Sequence, residues 1–167
     1  MSDSTPVSVA DYLSHIYHPD RDFAEGTLLE RNVGEIGHGD AQGRLYLHVM
    51  NNYSPRFWAG PEVRVQVRAQ RFRVPDVVIM RGGRPEGKII ATPPAVVVEV
   101  LSPDDRAIDI EAKIADFLDF GAECVWVLNP ETRRAFIHTN EGSHEVKDGV
   151  LRNPAGDLTV PLAAIFG

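Results

Sequence analysis

The segment Val96-Val97-Val98-Glu99-Val100-Leu101 constrains this chain more than any other. Five apolar residues without a turn former describe a strand covered on both faces, which places it inside a sheet with layers above and below. Glu99 breaks that pattern. An isolated carboxylate in such a strand is costly unless it is paired, protonated or bound to a metal.

The remaining sequence supplies the layers. With 167 residues, 43% of them hydrophobic, the chain has room for one full core and not for two large ones. The reading is a single domain over residues 9–167 behind a short disordered tail at 1–8. Val9 to Tyr17 reads as a short helix or ordered turn ended by Pro19, Thr27 to Val33 as a strand between glycines, and Ala41 to about Met50 as a helix carrying Leu45 and Val49 at i, i+4. Arg64 to Gln70 alternates as a half-exposed strand does, and Pro75 to Met80 follows as a more buried one. Beyond the Val96 strand, Asp109 to Phe120 is a helix with Ile110, Ile114, Phe117 and Leu118 on one face, stopped by Gly121. Cys124 to Leu128 returns as a strand. Arg134 to His138 and His144 to Lys147 read as short antiparallel strands, and Leu158 to Phe166 as a closing segment. Strands with interspersed helices predict the α/β class, with a mixed central β-sheet flanked by α-helices.

Charge and cysteine content narrow the function classes. The formal charge of −7 argues against coating nucleic acid through a basic surface. Residues 61–90 depart from this average: seven basic residues, among them Arg64, Arg71 and Arg73, stand against three acidic ones, a local balance of +4. That segment either meets a phosphate-bearing substrate or is a strand face whose arginines pair with acidic neighbours. The single Cys124 excludes an internal disulfide and fits a reducing compartment. No apolar run reaches the roughly 18 residues that span a bilayer, and the first residues have no signal-peptide pattern. A cytoplasmic protein without membrane contact is expected.

Three charges sit where the pattern predicts none. Asp76 follows Pro75 at the head of an apolar strand, Glu99 interrupts another, and Lys113 lies beside the apolar stripe of a helix. Singly they have bland readings: a turn cap for Asp76, a snorkelling stem for Lys113, a buried ion pair for Glu99. Together they have a chemical use. Two carboxylates on adjacent strands, with a neighbouring backbone carbonyl such as that of Val100, are the hard oxygen donors that Mg²⁺ prefers, with Mn²⁺ as a substitute. A metal so held lowers the pKa of an attacking water, while an ammonium positions that water or stabilises the transition state of phosphodiester hydrolysis. Asp104 and Asp105 read as capping residues of the next helix.

These residues carry a resemblance. Pro19-Asp20-Arg21-Asp22, Leu29-Glu30-Arg31-Asn32, Arg73-Val74-Pro75-Asp76, Val98-Glu99-Val100-Leu101, Lys113 and Trp126-Val127-Leu128-Asn129-Pro130 follow in the order of the landmarks of the PD-(D/E)xK nuclease superfamily. The chain most resembles its Uma-two family of restriction endonucleases. The resemblance implies a restriction-endonuclease-like fold and a Mg²⁺-dependent endonuclease acting on nucleic acid, DNA before RNA. It assigns Asp76, Glu99 and Val100 to the metal, Lys113 to the attacking water and Asp22 to the outer shell. It also matches His38 to a histidine that meets a phosphate or assists a proton transfer, where a helix-capping or turn histidine is the competing reading; Arg71 and Arg73 of the basic segment are the other substrate-side candidates. The superfamily's usual lysine would stand at Leu101, two residues after Glu99; Lys113 matches a lysine moved to the following helix. Asp22 stands where the family more often has glutamate. A homodimer is the assembly suggested by nucleases that cut two strands together. The competing class is a nuclease-derived fold that binds without cutting, favoured by the acidic total charge. A two-carboxylate hydrolase of another ester or glycoside fits less well, because that chemistry needs no lysine.

Overall fold

In the computed structural model, which describes residues 5–32 and 34–167, the chain runs through α1 (Val9–Ser14), β1 (Asp22–Ala24), β2 (Thr27–Leu29), α2 (Ile36–Tyr53), β3 (Phe57–Pro61), β4 (Val65–Arg68), β5 (Arg71–Arg73), β6 (Val77–Arg81), β7 (Val96–Val100), α3 (Ala107–Phe120), β8 (Cys124–Asn129), β9 (Arg134–Thr139), β10 (Gly142–Glu145), β11 (Val150–Arg152), β12 (Thr159–Pro161) and α4 (Leu162–Phe166).

The valine run is central, as its composition demands. β7 lies inside a six-stranded sheet of order β10-β9-β8-β7-β6-β3. It pairs parallel with β8 and antiparallel with β6. A parallel pair needs a crossover, and α3 supplies it. The expected α/β class, a mixed sheet flanked by helices, is the fold adopted.

Period-two alternation sends successive residues to opposite faces. Val96, Val98 and Val100 join Val77, Ile79, Trp126 and Leu128 on the face covered by Leu45 and Val49 of α2 and Ile165 of α4. Val97 joins Val78, Met80, Val125 and Val127 on the opposite face, under Ile114 and Phe117 of α3. Glu99 shares the parity of Val97, so its carboxylate points beneath α3.

A second, four-stranded sheet of order β2-β1-β5-β4 is tied to the first through α3, which packs on β4 and β8. Its β1–β2 hairpin turns on Glu25 and Gly26, both at positive φ (44° and 88°), the geometry of a two-residue hairpin loop. Tyr12 of α1 stacks on Phe23, meets Phe72 at a tilt, and closes a small core of its own. Arg64 anchors this layer: it is buried, forms two bonds of 2.7 Å to Asp20, and donates to the carbonyls of Tyr12 and His15.

Several boundaries differ from the sequence reading. α2 begins at Ile36 rather than near Ala41, because Gly37 and Gly39 weaken the local helix signal without preventing the turn. The strand expected over 27–33 ends at Leu29, and the helix expected to Tyr17 ends at Ser14. β1, β3, β5 and β11 were not expected. Of the tail expected over 1–8, residues 1–4 lie outside the described residues, while Val7 donates to the Gly26 carbonyl at 3.0 Å and Ser8 caps α1. No helix among the described residues is long and apolar enough to cross a membrane.

Candidate active site

β6 and β7 pair with Val77 opposite Val98. One step further along that register, Asp76 stands opposite Glu99. Both fall on the α3 face of the sheet, and both are buried, at 4% and 3% exposure. α3 crosses above them and lowers Lys113 onto the pair: its Nζ lies 3.6 Å from Glu99 Oε2 and 3.9 Å from Asp22 Oδ2. The ammonium expected from the helix therefore reaches the strand carboxylate, and Asp22, arriving on β1, completes a compact group of three acids and a lysine. Leu101 lies two residues beyond Glu99 on the same face, as apolar floor.

Each carboxylate is held differently. Asp76 Oδ2 accepts the Val100 N–H at 2.7 Å, while its Oδ1 faces Arg31 Nη2 at 3.2 Å and His38 Nε2 at 3.3 Å. Asp22 accepts the Val74 N–H at 2.8 Å and an Arg73 N–H at 3.1 Å. Glu99 has neither kind of support. Its Oε1 is buried with no hydrogen-bond partner. Burial pushes the Glu99 carboxyl up to about 8 against the pull of the Lys113 ammonium, with the charges of Asp76 and Asp22 adding to the rise. Burial acts to lower Lys113, but Glu99 and Asp22 outweigh it and hold the ammonium above the ordinary lysine value. The hydrogen bond to Asp76 likewise raises His38, against the opposing effect of its burial.

Among the described residues, no three His, Cys, Asp or Glu side chains converge as a preformed metal site. The donor set nevertheless suits a hard cation. The orphaned Glu99 Oε1 and the Asp76 carboxylate are two oxygen donors, and Mg²⁺ is commonly held by one or two carboxylates, with water and phosphate oxygens completing the shell. Val100 contributes its N–H to orienting Asp76.

Arg71 and Arg73 do not emerge as free cations. Arg73 is buried, donating to Asp116 at 2.8 Å and to Asp22, and Arg71 is shared between Glu25 and Asp116. Arg68 reaches Asp119, and Arg81 reaches Glu123 and Asp157. The basic segment is thus largely neutralised inside the molecule; Arg84 and Lys88 stand exposed. Two residues of the site were not among the candidates. Arg31 gave only a weak signal, in a short strand-like run. Asp116 gave a better one, standing three residues after Lys113 and so on the same helix face. Asp105 does not cap α3: it accepts from Ser102 N–H and Asn32 Nδ2, and the N-cap position is held by Arg106, without a side-chain cap bond.

A cleft of ≈1020 Å³ opens beside the carboxylates. His38 stands at the junction, facing Asp76 and lining the cleft; Leu101, Ile110 and Ile114 form its floor, and Phe136 and His138 line it from β9.

Comparison with known proteins follows the same lines. A family model, Uma2, described as "Putative restriction endonuclease", matches residues 11–163. Among solved structures, one described as a "putative nuclease belonging to DUF820" from Anabaena variabilis superposes with a TM-score of 0.80 at 18% identity, covering 96% of this chain and 98% of that chain. At that identity the likeness is one of fold. No curated protein matches the chain.

Proposed function

This chain belongs to the Uma2 family, and from that premise we propose that it is a nuclease that hydrolyses nucleic-acid phosphodiester bonds with the help of Mg²⁺ or Mn²⁺. The observation that carries the reading is the convergence of Asp76, Glu99, Asp22 and Lys113 at one end of β6 and β7, around a Glu99 oxygen left buried without a partner. A fold with no use for that oxygen would be more stable with an apolar residue there.

Asp76 and Glu99 hold the metal in this reading. When bound, it neutralises phosphate charge and lowers the pKa of the attacking water. Asp76 is kept in orientation by the Val100 N–H. Lys113 keeps its charge beside Glu99 and Asp22, placing an ammonium where negative charge grows on the phosphoryl oxygens. Asp22, clamped by Val74 and Arg73, fixes the ammonium laterally and orders the outer shell. His38 bridges the Asp76 carboxylate and the open cleft, in position to hold a proton at Nε2 or to meet a phosphate.

Calorimetric titration of Mg²⁺ and Mn²⁺ into wild type and Glu99→Gln, with melting curves alongside, tests the site without a known substrate. Binding by wild type is expected, with a raised Tm, and none by the variant. Cleavage of a mixed set of single- and double-stranded DNA and RNA should then need both the metal and Lys113. Metal binding without any cleavage, or no binding at millimolar metal, moves the non-cutting binding module to first place.

A further inference from the structure

We infer that the cleft beside the carboxylates is a seat for an unpaired nucleobase, so that the substrate is a single strand or a frayed end rather than an intact duplex. The inference rests on the phosphodiester reading only for the position of the phosphate.

Register gives the first argument. Glu99 stands beside Val127 and Val127 beside Phe136, and all three lie on the α3 face, so Phe136 is two strand spacings from Glu99, roughly 10 Å. That is about the reach from a phosphate to the far side of its own base. The surface between is apolar: Leu101, Val127 and Ile114 line the cleft, with no ammonium or guanidinium among its lining residues. Phe136 is half-buried, with the Arg134 guanidinium over one face of its ring at 5.3 Å from the centroid. Beside it, burial and the neighbouring His144 hold His138 below the ordinary imidazole value, which leaves a neutral ring. An aromatic platform next to an apolar floor is what a base recognises, whatever its sequence.

Electrostatics gives the second. A duplex is gripped through many phosphates by a basic surface, but here Arg64, Arg68, Arg71, Arg73 and Arg81 are all engaged with carboxylates. The rim of the cleft is acidic instead. Glu35, Glu111 and Glu131 line it, and none has an ion pair or side-chain hydrogen bond among the described residues. Such a rim repels a duplex backbone running past it. It tolerates a strand that brings one phosphate to the carboxylate end and turns its neutral base inward, where the rim oxygens can accept from exocyclic amino groups.

The test reads binding apart from cutting. Short DNA and RNA strands carrying 2-aminopurine, and the same strands in duplex, are titrated with the full chain in Ca²⁺, following anisotropy and 2-aminopurine fluorescence; cleavage is followed separately in Mg²⁺ and Mn²⁺. The single strand should bind at least tenfold more tightly than the duplex, with its fluorescence quenched, and the DNA and RNA arms identify the source. Its affinity should fall only weakly with salt, with a logarithmic slope no steeper than about −1. Phe136→Leu keeps apolar bulk and removes the stacking ring: a roughly tenfold loss of single-strand affinity and of the quenching is expected at unchanged Tm, with Phe136→Trp restoring both. Equal affinity for duplex and single strand, or no effect of Phe136→Leu, overturns the inference even where the protein cuts. A strand bound and quenched in this way but never cleaved supports it and overturns the nuclease reading alone.

Discussion

Glu99 is the residue at which fold and chemistry conflict most directly. The native state holds its proton up to about pH 8, whereas the unfolded chain releases it near the ordinary value of 4.5. Stability due to the neutral carboxyl is therefore complete below about pH 4.5 and is lost progressively as the pH rises through 8. Glu99→Gln keeps the shape and cannot ionise. Melting curves from pH 4.5 to 9 should fall for wild type and stay flatter for the variant, leaving it more stable by a few kcal/mol at pH 9. A parallel fall in both proteins would place the titration elsewhere. Glu99, Asp76 and Lys113 were legible in the sequence because each is a charge in or beside positions that local periodicity reserves for apolar side chains, and because they follow in the order of the family's landmarks. Arg31 and Asp116 could not be found that way, because a charge in a loop or on a helix is solvated by default. Only the tertiary approach of Asp76 to Arg31, and of Arg73 to Asp116, takes them out of water.

At the scale of elements, the second sheet is fastened to the first by apolar packing of Val65 and Val67 under α3 and by a chain of buried ion pairs. Asp116 on α3 meets Arg73 on β5, and Arg73 meets Asp22 on β1. All three residues are buried. Removing Asp116 leaves the buried Arg73 guanidinium with Asp22 alone, and removing both acids strands it, a loss of roughly 3–5 kcal/mol. Asp116→Asn should lower the stability measured by urea unfolding by roughly 1.5–3 kcal/mol, and adding Asp22→Asn should cost more than the sum of the singles, since only the double variant leaves the guanidinium with no carboxylate. Additive losses would show that Arg73 does not couple them. This arrangement also explains which strands were legible. β7 and β8 are apolar runs and announce themselves; β5, read as Arg-Phe-Arg, looks like solvated surface until its carboxylate partners arrive from 43 and 51 residues away. β3 contains Gly60 and ends at Pro61, residues that local rules assign to turns. The arginine-rich segment shows the same limit: its sequence allowed a phosphate surface or a paired face, and the pairing is the one adopted.

The whole molecule converges on Asp76 and Glu99, the two carboxylates proposed to hold a metal, from several directions, and this predicts a distinctive thermodynamic signature for metal uptake. Arg31 and His38 come from the segment leading into and through the first turn of α2, Asp76 from the start of β6, Glu99 from β7 and Lys113 from α3. A cation taken up by Asp76 and Glu99 has to displace Arg31 and His38 from Asp76 Oδ1 and to remove the proton that burial keeps on Glu99. Metal uptake at pH 7 should therefore release up to about one proton from Glu99, a further fraction coming from His38 as its partner is withdrawn. Heats measured in two buffers of different ionisation enthalpy count those protons. Arg31→Met removes a competing cation and should tighten metal binding while destabilising the metal-free protein, in which Asp76 loses its strongest partner. Because the ligands lie on separate elements of the same core, metal at a hundredfold excess over its Kd should add about 2.7 kcal/mol to global unfolding, not merely to a local loop. Weaker metal binding in Arg31→Met, or uptake without proton release, would mean that Asp76 and Glu99 do not share the cation.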